Sequence, residues 1–159
     1  MARQKQWFDK RLLKGILFAL FFPVILPYVL IVFILYLLHR TTLYFLIWLL
    51  WLPKGKDVLL VYSDSPIWHD YMTSEILPLV QKRAVVLNWS ERSKWPRWWT
   101  FSVQVFHSFA GEEEFNPLVI LFRPLRRARV FRFWSAFKAW KNGYTEPVEK
   151  IRQNLIDAL

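Results

Sequence analysis

Cysteine is absent from this chain, which excludes disulfides, thiolate metal sites and thiol catalysis, and with them redox chemistry carried by side chains. The absence leaves the compartment open, since reducing and oxidising ones both tolerate such a chain. Glycine is scarce, at 4 residues, and there is no glycine-rich phosphate loop. Acidic side chains are outnumbered, 12 Asp and Glu against 22 Lys and Arg, and the resulting charge of +10 favours anionic partners, either lipid headgroups or nucleic acid. A local absence says most. Residues 16–52 hold no readily ionised side chain except the adjacent His39 and Arg40, whereas after Pro53 charges recur every few residues. A lipid-embedded part and a water-facing part therefore join at Pro53-Lys54-Gly55. Beside the membrane part there is room for one soluble domain of about 100 residues.

What is present divides accordingly. Residues 1–15 carry Arg3, Lys5, Lys10, Arg11 and Lys14 against the single Asp9, with Trp7 and Phe8 among them, the pattern of a basic amphipathic stretch at a cytoplasmic interface. The apolar run is too long for a cleaved signal peptide and has no small-residue cleavage pattern before Pro53. Residues 16–38 suffice to cross a hydrocarbon core of about 30 Å. Pro23 and Pro27 should break the helix near its middle, and residues 41–52, with Tyr44, Trp48 and Trp51, suit an interfacial helix. Two arrangements follow for residues 16–52: a span, or a re-entrant hairpin with its apex at the two prolines, each with the interfacial helix after it. The hairpin brings Arg11, Lys14, His39, Arg40, Lys54 and Lys56 to one interface, in accord with the positive-inside bias. Trp7, Arg11, Lys14, His39, Arg40, Trp48 and Trp51 are the expected membrane-interface residues. The expected location is a bacterial-type inner membrane, with the domain on the cytoplasmic face.

The soluble α/β domain is expected over residues 57–159. A first buried strand at 57–62 leads to Ser65 as N-cap and Pro66 at the first helical position. The helix runs to about Lys82 with Trp68, Met72, Ile76, Leu79 and Val80 on one stripe and a kink at Pro78. A strand at 83–88 pairs parallel with the first through a right-handed crossover. After a Trp-rich connection, Pro96 opens a helix carrying Trp99, Val103, Phe106 and Ala110 that stops at Gly111. Residues 118–122 form a third strand, 123–128 a turn, and 129–133 an antiparallel fourth strand. A short helix to Lys141, the break at Asn142-Gly143, and a last helix capped by Thr145 with Val148, Ile151, Leu155 and Leu159 on its stripe complete the chain. This β-α-β-α-β-β-α order, with Pro78 in the first helix and Pro117 before the third strand, resembles the thioredoxin-like fold. The resemblance implies a cis Asn116-Pro117 peptide. It places the family's redox pair within Pro66 to Tyr71, which holds no cysteine, so it also implies a member without oxidoreductase activity. A flavodoxin-like parallel sheet is the competing fold.

Each candidate site has a competing structural role. Ser63, Asp64 and Ser65 end the first strand, where open α/β sheets bind ligands, and with His69 and Trp89 they form a possible ligand site. Helix capping is the simpler role for the serines, because Asp64 would repel an anion. His69, Asp70 and Glu75 are spaced for a solvated face rather than a metal or acid/base group, and His107 stands alone. Trp89, Trp95, Trp98 and Trp99 among Arg92, Lys94 and Arg97 could stack single-stranded nucleic acid, but contact with headgroups or membrane helices suits a membrane protein better. Glu112 to Glu114 read as a solvated loop. The strongest local signal is Arg123, Arg126, Arg127, Arg129, Arg132, Lys138 and Lys141 with no acidic residue between them. Edge-strand protection needs fewer charges. Binding to anionic lipid, at about 1 kcal/mol per basic residue, is the favoured use, with nucleic acid second. The expected function is a membrane-anchored, non-redox binding or scaffold module, with membrane lipids and a membrane-associated protein as partners and neither cofactor nor metal. The alternative is an enzyme with its site at Ser63 to Asp70, acting on a phosphorylated or lipid-linked substrate.

Overall fold

The computed structural model describes residues 2–95, 100–111 and 116–159. It is a mixed α/β protein with a long N-terminal apolar helix and a four-stranded mixed sheet. The chain forms two compact units, residues 1–42 and 43–159.

Helix α1, Ala2–Leu50, runs unbroken through Pro23 and Pro27. The hairpin apex expected at these prolines has no counterpart. Each proline deletes one backbone hydrogen bond, but a break there would leave several further backbone polar groups unpaired among apolar side chains, so continuing the helix costs less. Its described apolar side chains from Phe21 to Leu38 are all exposed, and α1 is long and apolar enough to cross a membrane. Towards the end of this unit, Thr42 Oγ1 donates to the Leu38 carbonyl at 2.8 Å and the Arg40 guanidinium donates to the Tyr36 hydroxyl at 2.7 Å.

The second unit is built on strands β1 (Val58–Tyr62), β2 (Ala84–Asn88), β3 (Leu118–Leu121) and β4 (Arg129–Arg132). Their order is β2-β1-β3-β4, with β1 parallel to β2, β3 antiparallel to β1, and β4 antiparallel to β3. The central strands are covered on both faces, which is why their sequences are uniformly apolar rather than alternating. One face carries Val58, Leu60, Val119 and Leu121 against Met72, Ile76, Val80, Phe137, Val148 and Leu155. The opposite face carries Leu59, Val61, Leu118, Ile120 and Phe122 against Val103, Phe106 and Phe109, and also against Leu43, Ile47 and Trp51. These last three recur every fourth residue, Leu43 and Ile47 on the final turns of α1 and Trp51 directly after it, and form one stripe. Residues 41–52 are thus no separate interfacial helix. The compact unit starts at Leu43 and not at Asp57.

The connections explain themselves locally. Trp68 and His69 donate their N–H groups to the Ser65 carbonyl at 3.2 and 2.9 Å, and helix α2, His69–Tyr71, begins without a side-chain cap. A π turn, Met72–Ile76, joins it to α3, Leu77–Val80. Pro78 cannot donate to the Ser74 carbonyl and its ring crowds that group, and the wide π turn just before it accommodates the proline. The stripe holds for Met72, Ile76 and Val80, whereas Leu79 points outward. A 3-10 turn, Trp89–Lys94, follows β2, and α4, Phe101–Phe109, ends near Gly111 at φ 81°. Pro96, Arg97, Trp98, Trp99 and Glu112 to Glu114 lie outside the described residues. The Asn116-Pro117 peptide at the head of β3 is cis. Helices α5, Trp134–Trp140, and α6, Glu146–Ile156, close the chain; Thr145 gives α6 its backbone carbonyl but no side-chain cap.

Candidate functional site

Two places gather the candidate residues. The first lies at the carboxyl ends of β1 and β2. Parallel pairing sets Tyr62 beside Asn88, so the residues that leave the two strands meet. The Asp64 N–H donates to Ser90 Oγ at 2.9 Å, Asn88 Nδ2 donates to Asp64 Oδ1 at 2.9 Å, and the Ser90 N–H returns to Asn88 Oδ1 at 3.0 Å. Because β3 runs antiparallel, its beginning reaches the same edge. Ser63 is buried there, donating to Asn116 Oδ1 at 2.7 Å and accepting from Trp68 Nε1 at 3.0 Å. His69 Nδ1 stands 3.6 Å from Asp64 Oδ1, beyond a hydrogen bond, and is buried without a hydrogen-bond partner among the described residues; its ring lies 5.8 Å from that of Tyr62.

Ser63, Asp64 and His69 are therefore brought together, while Ser65 contributes its carbonyl and Asp70 remains exposed. Trp89 does not join them: it packs on Trp95 and Phe106 at ring distances of 5.8 and 5.4 Å. The sequence reading missed Asn88, Ser90, Asn116 and Trp68. Asn88 closes β2, which the parallel pairing sets beside the end of β1, and Asn116 directly precedes Pro117 at the head of the antiparallel β3, so strand order and direction held the signal. The Ser63 hydroxyl is committed in both directions, to an amide oxygen and an indole N–H, which is the arrangement of a structural clasp rather than of a nucleophile facing a base. Among the described residues, no three His, Asp or Glu side chains gather as a metal site.

The second place is the β3–β4 hairpin. Its cations do not form one face. Arg129 and Phe131 share one side of β4, with the guanidinium over the ring at 5.3 Å, while alternation sends Arg132 to the other, where it donates to the Ala110 carbonyl. Arg123 donates to the Ala158 carbonyl, and Lys138 on α5 sits 3.5 Å from the centre of the Trp134 ring. Arg126 and Arg127 are exposed in the turn and Lys141 is exposed after α5. The single basic surface expected over 123–141 thus resolves into cations that brace the fold and a basic turn.

Of the expected membrane-interface residues, Trp51 is a core side chain, 8% exposed. Trp48 is half-buried, His39 is exposed and Arg40 is bonded to Tyr36. The side chains of Trp7, Arg11 and Lys14 lie outside what is described. Elsewhere, the Tyr71 hydroxyl donates to Glu149 Oε1 at 2.9 Å, and burial first, then this carboxylate, raises its pKa. Arg83 Nε donates to Asp57 Oδ1 at 2.9 Å and Nη1 to the Leu159 carbonyl at 2.8 Å, and the bond to Asp57 raises the guanidinium pKa. No protein-family model, curated protein or solved structure matches this chain.

Proposed function

We propose that this chain is a membrane-anchored, non-redox binding module of thioredoxin-like architecture, docked on anionic lipid. The observation that carries the reading is that α1 holds the apolar run and also supplies Leu43 and Ile47, with Trp51 directly after it, to the core of the domain. Anchor and module share one helix, with no linker between them. The strand order β2-β1-β3-β4, with β3 alone antiparallel to β1, supports the thioredoxin-like architecture. Pro66 to Tyr71, where that family keeps its thiols, holds none. Binding is favoured over catalysis because the polar groups of the Ser63 and Asp64 cluster mostly satisfy one another.

The cytoplasmic placement expected from the sequence rested on the hairpin. A single span takes the two basic flanks to opposite faces, and the denser cluster, Arg3, Lys5, Lys10, Arg11 and Lys14, is then the one retained inside. In this reading the domain stands on the outer face of a bacterial-type inner membrane, against acidic headgroups of that leaflet. Alkaline carbonate should leave the full chain in the membrane pellet. In nanodiscs, amide exchange over residues 118–132 should slow when phosphatidylglycerol is added to phosphatidylcholine, and salt should abolish the difference. Release by carbonate refutes the anchor; equal exchange in the two lipids refutes the docking.

A further inference from the structure

We infer that the β3–β4 turn is a lipid-insertion loop, with Leu125 entering the acyl layer of an anionic leaflet while Arg126 and Arg127 lie on its headgroups. The inference rests on the membrane-anchored reading and replaces a broad basic surface by three residues.

Leu125 is 89% exposed and adopts φ 57°. The Arg126 N–H closes the turn on the Arg123 carbonyl at 3.2 Å, which places Pro124 and Leu125 at its two corners. Proline first and a positive φ second is the pattern of a type II turn, whose second corner favours glycine or asparagine. A leucine there is unfavourable twice, in its backbone and in the apolar surface it holds in water. An outlier of this kind points to function when the surroundings hold it in place.

The surroundings do hold it. Proline sets one corner. Arg123, at the base of the turn, is bonded to the Ala158 carbonyl, and on the other side the Ala128 N–H donates to the Tyr44 hydroxyl at 2.8 Å. Tyr44 belongs to α1, the helix that carries the apolar run. Its neighbours Phe45 and Leu49 are 59% and 57% exposed, so α1 stays apolar on its outer side within the domain as well. Arg126 and Arg127 are exposed and make no ion pair or side-chain hydrogen bond among the described residues. A bilayer surface complements all of this chemistry: phosphates for the guanidinium groups, acyl chains for the leucine, and room for arginine stems to lie between them. Nucleic acid complements the arginines but offers an aliphatic side chain little, since bases are bound on aromatic rings.

The lack of native cysteine makes the test direct. The full chain carrying Leu125→Cys, or Tyr144→Cys as control, is labelled with a polarity-sensitive fluorophore and placed in nanodiscs of phosphatidylcholine with or without phosphatidylglycerol. With acidic lipid, the label at 125 should be quenched by nitroxide lipids and shielded from aqueous iodide, and the label at 144 should not. Each of Arg126→Ala and Arg127→Ala should lower the inserted-to-free ratio about fivefold. Leu125→Gly suits the positive φ, so it should fold at least as well yet lose the lipid-dependent slowing of exchange over the hairpin. Equal iodide access at 125 and 144 overturns the inference, as does undiminished slowing in Leu125→Gly. Shielding by a single-stranded oligonucleotide in neutral nanodiscs overturns it too, in favour of nucleic acid. Retention after carbonate together with an aqueous label at 125 removes the loop alone, whereas loss from the membrane removes the anchored reading.

Discussion

Phe45 and Ile47 stand two residues apart on one helix and have opposite roles. Ile47 is fully buried against the sheet and Phe45 is exposed. Ile47→Ala should cost about 2–5 kcal/mol of domain stability, since it deletes packed volume that neighbours cannot refill. Phe45→Ala should stay within about 0.5 kcal/mol. Urea titrations in mild detergent compare them, and equal losses would contradict the packing of α1 on the sheet. Ser63→Ala should cost about 1–3 kcal/mol by leaving the buried Trp68 indole N–H without its acceptor. Tyr71 gives a pH test. Its pKa is raised in the fold from the ordinary 10.0, by burial first and then by Glu149. The folded state therefore holds the phenolic proton more tightly than the unfolded chain. This contribution is fully present below pH 10 and is lost as pH rises beyond it towards the folded value. Thermal midpoints of Tyr71→Phe should fall less steeply above pH 10 than those of the parent chain; identical slopes would exclude the linkage.

At the scale of elements, α1 makes the sharpest claim. An unbroken helix from Ala2 to Leu50 that crosses once must put its ends on opposite sides. Single cysteines placed by Ala2→Cys and Gly143→Cys should react with a membrane-impermeant reagent from opposite faces of sealed vesicles. Reaction from one face would restore the hairpin. The strands were legible because 57–62, 83–88, 118–122 and 129–133 are short apolar or alternating runs between turn residues. The break between α2 and α3 was legible only as a consequence of Pro78. Where the helix widens into a π turn around a proline depends on what packs around Met72 and Ile76, and residue order does not carry that.

For the whole molecule, the boundary between the apolar helix and the domain matters most. A chain beginning at Leu43 keeps the stripe of Leu43, Ile47 and Trp51 over Leu59, Val61, Ile120 and Phe122. One beginning at Asp57 leaves that face without part of its cover, an apolar patch that favours aggregation. The longer piece should melt cooperatively by near-ultraviolet circular dichroism, and the shorter should aggregate or melt without a sharp transition. Comparable cooperative melts would mean that α1 is only a tether.

Residue order by itself determined that the chain carries a helix long and apolar enough to cross a membrane, because the run from residue 16 to 52 is interrupted by one basic pair alone. It also determined the succession of strands and helices, because periodicity and turn residues are local properties. Only the tertiary structure decided the rest. Trp51 resembles any interfacial tryptophan in sequence, and its burial depends on a sheet face that exists only after β1 and β3 pair. Ser63 and Asn116 are far apart along the chain and meet because β3 runs antiparallel beside β1, while Asn88 reaches Asp64 because β2 runs parallel to β1. The seven cations look like one surface in a row of letters. Strand alternation and backbone carbonyls at Ala110 and Ala158 divide them, leaving Arg126 and Arg127 beside an exposed leucine, because the directions of side chains on a hairpin are set by its pairing and not by their spacing.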